Sequence, residues 1–437
     1  MGKVNSIFLK SKDNIKSGVI WNMAANLLFA FQSTIIIFVF QHLGVPAVSG
    51  MFRFVFTEAT LFLMIGKYGL RDYQISDIKN KFSFFDYKAA KFVTVTLMLL
   101  VSIGYTIVEA KVEQFTFADS LCLFLMCFLK THDAVEEVYY AHYQKNLRLD
   151  IAGKTMFVRL AITTVAMVIA AIATSDLLVA LIVGNVVSAI LLVYFIAVIY
   201  PKSQIKEADL SFFARHSSEN NGRKAQIVPI LLIGFPLFLG IFLQNYYNAA
   251  IVSAIKSLMT DVDNTIYGII AMPVFVIDLM SGVIYSPLII KLTEAWRARD
   301  LKKFFKMISV QILVITALTL ICIGGAYLLG VPVLSLVFNQ DISLYKSDLL
   351  ILLLGGGFLA LSKFIVSMTI VIRYQKATCI GYIVGGIAAL ALSRPMVRKY
   401  GLHGASYSYT LITILITIAF VVIFVVGYKK NVNKNVN

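Results

Sequence analysis

From Ser17 to Tyr428 the chain alternates long apolar runs with short polar stretches, and the runs are uniformly greasy instead of showing the one-sided stripe of a soluble helix. About 20 apolar residues at 1.5 Å each cross a bilayer core. By that measure the pattern predicts twelve membrane helices over 17–41, 45–66, 89–109, 117–140, 153–174, 177–200, 226–252, 265–290, 304–329, 347–372, 377–396 and 402–427. The longest polar gap, 201–225, follows the sixth helix and predicts a cytoplasmic linker between two lobes, 1–200 and 226–437, the second ending in a short cytoplasmic tail. Twelve spans with short loops and one central linker suggest paired six-helix bundles around a site at the membrane midplane.

Composition agrees. Of 437 residues 59% are hydrophobic and 14% charged, and the mean hydropathy of +0.83 excludes an ordinary soluble domain. The 25 residues from Ser17 to Gln41 carry no charge and outrun a signal-peptide core, so Lys3, Lys10, Lys12 and Lys16 flank a retained first helix. Met1, Gly2 and Ser6 fit a myristoylation pattern, but one acyl chain adds little to a chain with many spans. Most of the 39 Lys and Arg fall on the side of the N-terminus, which places both termini in the cytoplasm of a multi-pass cell-membrane protein. This asymmetry accounts for most of the net charge of +16, so nucleic acid is not an expected partner. An outer cluster, Arg394, Arg398 and Lys399, departs from it. Cys122, Cys127, Cys322 and Cys379 lie in apolar runs without metal-ligand spacing and read as packing residues.

Four cations lie inside the apolar runs: Arg53, Lys130, Arg159 and Lys363. A charge at that depth requires a partner or a wet cavity. Arg53 and Glu58 are five residues apart, about 140° around the helix, and do not face each other. Glu58 and Lys130 both lie about 20 Å down their helices and form the expected interhelical pair, either a lock between helices or part of substrate or ion handling. Asp133, Glu136 and Glu137 approach the cytoplasmic end of the fourth helix, where Arg159 enters on the fifth, and suggest a gate network; charges solvated at headgroup level are the plainer reading. His132 shares a face with Glu136.

In the second lobe, Pro229, Gly234, Pro236 and Gly240 of the seventh helix and Gly268, Pro273, Gly282 and Pro287 of the eighth predict bendable helices. Asn245 and Asn248 are candidate substrate contacts. Asp278 lies about 20 Å inside its helix, where a carboxylate can bind H⁺ or Na⁺ or simply pair with a cation. Lys363 follows Gly355, Gly356 and Gly357 and either reaches the same cavity or snorkels. Buried cations suit an anionic headgroup, and Arg meets phosphate oxygens bidentately. No HExxH, GxSxG or phosphate-cradling loop is present, and no outer loop is long enough to house catalytic residues, so an enzyme is not expected.

Several stretches carry a family likeness: Gly66–Asp77, Glu137–Asp150 with Gly153 and Lys154, Gln244–Asn248, and Tyr400–Ala405. In their order the chain resembles the polysaccharide-transporter branch of the multidrug/oligosaccharidyl-lipid/polysaccharide exporter superfamily, which contains O-antigen and capsule repeat-unit flippases. The resemblance implies two six-helix lobes in a V around a cationic cavity and alternating access driven by an ion gradient or the membrane potential. It also implies undecaprenyl-diphosphate-linked oligosaccharide as cargo, moved from the cytoplasmic to the outer leaflet for surface polysaccharide, with polymerase and glycosyltransferases as partners. By that analogy Arg53 is a cavity arginine; the first helix offers only Asn22, Asn26 and Gln32. Rival readings are an ion-coupled drug/cation antiporter of the same superfamily, a membrane polymerase or ligase, and a non-transporting scaffold. No cofactor beyond H⁺ or Na⁺ is expected.

Overall fold

The computed structural model describes residues 7–11, 13–77, 81–112, 115–203 and 226–433, and these are helical with short connections. In chain order the helices are α1 (Asn14–His42), α2 (Pro46–Lys67), the short α3 (Leu70–Ser76), α4 (Phe84–Val112), α5 (Phe117–Lys145), α6 (Leu149–Thr174) and α7 (Leu177–Tyr194). After them come α8 (Ile227–Leu258), α9 (Asp261–Arg297), α10 (Leu301–Gly325), α11 (Lys346–Val371) and α12 (Thr378–Asn433). Among the described residues ten stretches are long and apolar enough to cross a membrane, by length and composition. Two adjustments give twelve spans. The 29-residue α5 is as long as a span but carries Asp119, Lys130, His132, Asp133, Glu136 and Glu137, and the 56-residue α12 is two spans meeting at Gly401. The all-α membrane fold and the twelve helices expected from the sequence are therefore present. The expected linker 201–225 lies, from residue 204 on, outside the described residues.

Local chemistry sets the ends. Thr116 Oγ1 accepts the Asp119 N–H at 3.1 Å while the Asp119 carboxylate takes the Thr116 N–H, a capping box that starts α5. Thr260 and Asp263 start α9 the same way. Gly401 adopts φ 59° and ψ −135°, a conformation open to glycine, and this breaks α12 into arms over 378–400 and 402–433. Pro236 is accommodated inside α8, which runs unbroken for 32 residues, and α9 runs for 37; the expected bendable helices are continuous here.

The chain forms two compact units, residues 1–48 with 55–241 and residues 49–54 with 242–437, so the division falls within α8 and the second unit takes in the stretch Ser49–Phe54 of α2. In the first unit α1 packs along α6, α6 along α7, and α4 and α7 on α5. A Cβ on Gly153 would meet the backbone of Trp21 and Asn22, so glycine permits the close α1–α6 approach, as small residues do between membrane helices. One end of this unit is tied by polar groups. The Lys154 ammonium donates to the Ile7 and Lys10 carbonyls and to Ser11 Oγ, each at 2.9 Å, and Arg148 reaches the Leu9 carbonyl at 2.6 Å. Phe8 beside them is buried against Tyr140, Tyr143, Ile151 and Phe195. In the second unit α11 packs along both α12 and α9, and α10 against both α9 and α11.

Candidate functional site

In the first unit the charged side chains of α5 form one stripe, since 130, 133 and 136/137 recur at helical spacing. Arg159 of α6, 2% exposed, lies across it. Its Nε donates to Glu136 Oε2 at 2.8 Å, its Nη1 to Ser188 Oγ of α7 at 2.9 Å, and its Nη2 to both Asp133 and Glu136. Asp133 is shared: its other oxygen lies 3.4 Å from the Lys130 ammonium. Lys130, 1% exposed, also donates to Gln32 Oε1 of α1 at 3.3 Å and sits over the rings of Phe56 (4.3 Å) and Phe29 (4.8 Å). Gln32 passes the connection to Thr164 of α6 at 3.1 Å. His132 faces Ser188 Oγ at 3.0 Å.

Next to this cluster Glu137 receives Lys91 of α4 at 3.0 Å and lies 3.7 Å from Lys67. Lys91 also donates to the Gly66 and Lys67 carbonyls, closing the last turn of α2, where the helix dipole favours a cation. Four cations thus meet three carboxylates, an arrangement one charge short of neutral. Arg159 with Asp133 and Glu136 forms a buried ion network, and Lys91 with Glu137 extends the buried charge beside it.

The expected Glu58–Lys130 pair does not form. Glu58, 3% exposed, takes the Tyr105 hydroxyl of α4 and faces Glu109 on the same helix, while Lys130 turns toward α1 and α6. Rise along a helix fixes depth, and packing fixes the direction around the axis, which sequence spacing within one helix does not reveal.

In the second unit Arg53 has a ring for its neighbour. Its guanidinium carbon lies 5.1 Å from the centroid of the Tyr267 ring on α9, its Nε has no hydrogen-bond partner, and no carboxylate pairs with it among the described residues. Gly268 makes room for it, since a side chain there would occupy the space of the guanidinium. Lys363 of α11 holds both oxygens of Asp278 of α9 at 2.8 Å, with side chains 30% and 27% exposed. Asn245 is half-buried and Asn248 exposed on α8. A pair not singled out in the sequence stands at the start of α11: Asp348, fully buried, accepts from His403 Nδ1 of α12 at 2.7 Å. Its sequence signal was His403 within the Tyr400–Ala405 stretch. Among the described residues no group of three His, Cys, Asp or Glu could hold a metal ion.

Comparison with solved structures shows what kind of scaffold carries these groups. The lipid II flippase MurJ in an inward closed conformation matches with a TM-score of 0.69 at 12% identity, over 95% of this chain and 91% of that one. The chain has the fold of the MOP-superfamily transporters. An inward-facing multidrug resistance MATE family transporter of that superfamily matches with a TM-score of 0.60 at 12% identity, over 92% of this chain and 95% of that one. The Vibrio cholerae MATE transporter VcmN in its bent form matches at 0.56 and 12%, over 98% and 99%. No family model matches the sequence, and no curated protein does. This fold is shared by proteins described as flippases and as multidrug transporters.

Proposed function

We propose that the protein is a transporter that moves undecaprenyl-diphosphate-linked oligosaccharide repeat units from the cytoplasmic to the outer leaflet by alternating access. It is a carrier, without catalytic chemistry, and it acts beside the glycosyltransferases and polymerase of surface polysaccharide assembly. The observation that carries this reading is Arg53: a guanidinium at membrane depth, held over Tyr267, with an orphaned Nε and no carboxylate among the described residues. Intramembrane cations without a neutralising acid are costly and are kept for anionic ligands. The guanidinium fork matches a diphosphate better than an ammonium does. The MurJ likeness adds a scaffold on which a lipid-linked cargo is carried.

Arg53→Ala should lower export of lipid-linked repeat units at least tenfold with unchanged protein abundance, and Arg53→Lys should restore part of it. Export at the native level in Arg53→Ala would remove the reading.

One observation favours a drug/cation antiporter as a second reading. Lys130, Arg159 and Lys363 are each paired with a carboxylate, Asp133 serving both of the first two, and Glu58 is a buried acid without a cation partner among the described residues. In that case Glu58→Gln abolishes extrusion of cationic dyes and Arg53→Ala spares it. Under the flippase reading Glu58 serves H⁺ or Na⁺ coupling, and the dye assay is silent.

A further inference from the structure

The second unit holds an ion pair that lies at membrane depth and is still open. Asp278 of α9 and Lys363 of α11 each stand 17 residues past the start of their helix, about 25 Å along its axis. The Lys363 ammonium reaches both Asp278 oxygens at 2.8 Å, yet the two side chains stay 30% and 27% exposed. Charges bared to acyl chains are costly, so exposure at this depth marks a watery space. Along α9, Asp278, Gly282 and Tyr285 follow one another at helical spacing and share a face. A side chain on Gly282 would meet no atom within 4 Å among the described residues, which leaves a gap between the carboxylate and the ring. Beyond the gap the half-buried Tyr285 ring leans on Phe364 of α11, centroids 5.8 Å apart, so the neighbour of Lys363 in sequence holds the ring in place. Ser281, within one turn of Asp278, is buried with its hydroxyl unpartnered among the described residues, and such a group calls for water.

We infer that Lys363, Asp278 and Tyr285 form a sugar-binding subsite that reads the hydroxyls of a saccharide. The inference rests on the lipid-linked oligosaccharide reading of the protein and adds where its sugar is held. The chemistry of the groups selects the ligand. A closed ion pair has no net charge, so it attracts a diphosphate less than Arg53 does, whose charge no acid offsets among the described residues. A carboxylate offers about four acceptor sites and an ammonium three donors, so the contact between them leaves both kinds for the open side. Adjacent sugar hydroxyls, each a donor and an acceptor, match that mixture. The apolar face of an aromatic ring suits the C–H side of a pyranose. Asp278 and Tyr285 stand about 10 Å apart along the helix axis, which leaves room for a sugar ring over Gly282.

The test measures binding to the full chain in lipid nanodiscs with two probes: undecaprenyl diphosphate, and undecaprenyl-diphosphate-linked repeat units extracted from the cells that make the polysaccharide. Native protein should bind the glycosylated lipid about tenfold more tightly, the size of one to two net hydrogen bonds. Lys363→Met and Asp278→Asn should each lose that preference while binding undecaprenyl diphosphate as the native protein does, and Tyr285→Ala should lose part of it. The exchanged pair, Asp278→Lys with Lys363→Asp, keeps the tie between α9 and α11 but moves every donor and acceptor. It should unfold at the native temperature and still lose the preference. Native protein that shows no preference, or variants that keep the native ratio between the two probes, would overturn the subsite and leave the pair as a tie between helices. Should neither probe bind native protein, the lipid-linked reading falls and the subsite with it.

Discussion

The stripe of α5 in the first unit and the charges of the second unit are made of the same residue types, yet they stand in different physical states. Arg159 and Lys130 are at most 2% exposed and saturated with partners from α1, α5 and α7. Lys363 and Asp278, 30% and 27% exposed, pair with each other, and Arg53 has a ring and, among the described residues, no acid for its neighbour. A cation whose donors are already spent on buried carboxylates ties helices together, whereas one lacking an acid has its charge unspent within the protein. Depth in the membrane, the feature that singled out all four cations, does not separate these states. Partner count does.

Breaking the first unit should have the largest effect. Arg159→Ala leaves Asp133 and Glu136 as uncompensated buried anions, a loss of about 3–5 kcal/mol. Thermal unfolding in detergent and the amount of folded protein in membranes should both fall sharply, and Arg159→Lys should not rescue, because one ammonium cannot span the oxygens that the fork holds. Unchanged stability in Arg159→Ala would mean that the cluster is wet and available to ligand, and the contrast between the units would collapse. Lys130→Ala belongs to the same class, with a smaller loss because Asp133 keeps Arg159.

Arg53 should behave in the opposite way. Its contact with Tyr267 contributes about 0.5–2 kcal/mol as a cation–π interaction, so Arg53→Ala should shift the unfolding midpoint little while export falls at least tenfold. Arg159 and Arg53 are thus a matched pair of experiments, one moving stability and the other transport. Variants that moved both quantities together would dissolve the distinction.

Much of this was legible in the letters. Hydropathy and loop charge predicted twelve helices, and the helices found differ mainly at their ends, as in α9, which begins at Asp261 and runs to Arg297. The spacing of Asp133, Glu136 and Arg159 likewise pointed to a network. The directions in which side chains turn were not legible: Glu58 and Lys130 share a depth and point to different helices. The burial of Lys91 and Lys154 has no sequence signal, because their partners are chiefly backbone carbonyls, of Gly66 and Lys67 and of Ile7 and Lys10, and a carbonyl carries no signature in sequence. Asp348 gives no distinct sequence signal, because it stands at a helix start, where an acid is ordinary.

The Lys363–Asp278 pair sharpens the comparison from the weak side. With both side chains more than a quarter exposed, the pair contributes no more than about 1 kcal/mol after screening by solvent. Single variants Lys363→Met and Asp278→Asn, and the double variant, should fall within that range of the native protein in thermal unfolding. A loss of the size expected for Arg159 would show that this pair is effectively dry.

The smallest effect is expected outside the spans, at Asp77. Burial disfavours its charge, but the Lys81 and Phe82 N–H groups and the Tyr87 hydroxyl outweigh that and hold the carboxyl below its ordinary range. A carboxyl depressed by folding contributes stability that is present above its unfolded value, near 3.9, and is lost as pH falls toward the lower folded value. Native protein should therefore lose a little more stability than Asp77→Asn between about pH 5 and pH 3, and the two should run parallel from pH 5 to pH 8. Because the Asp77 carboxylate is engaged by Lys81, Phe82 and Tyr87, this acid-side difference should leave export at neutral pH untouched in Asp77→Asn. A difference appearing instead on the alkaline side would reverse the sign and show that burial, not hydrogen bonding, governs this carboxyl.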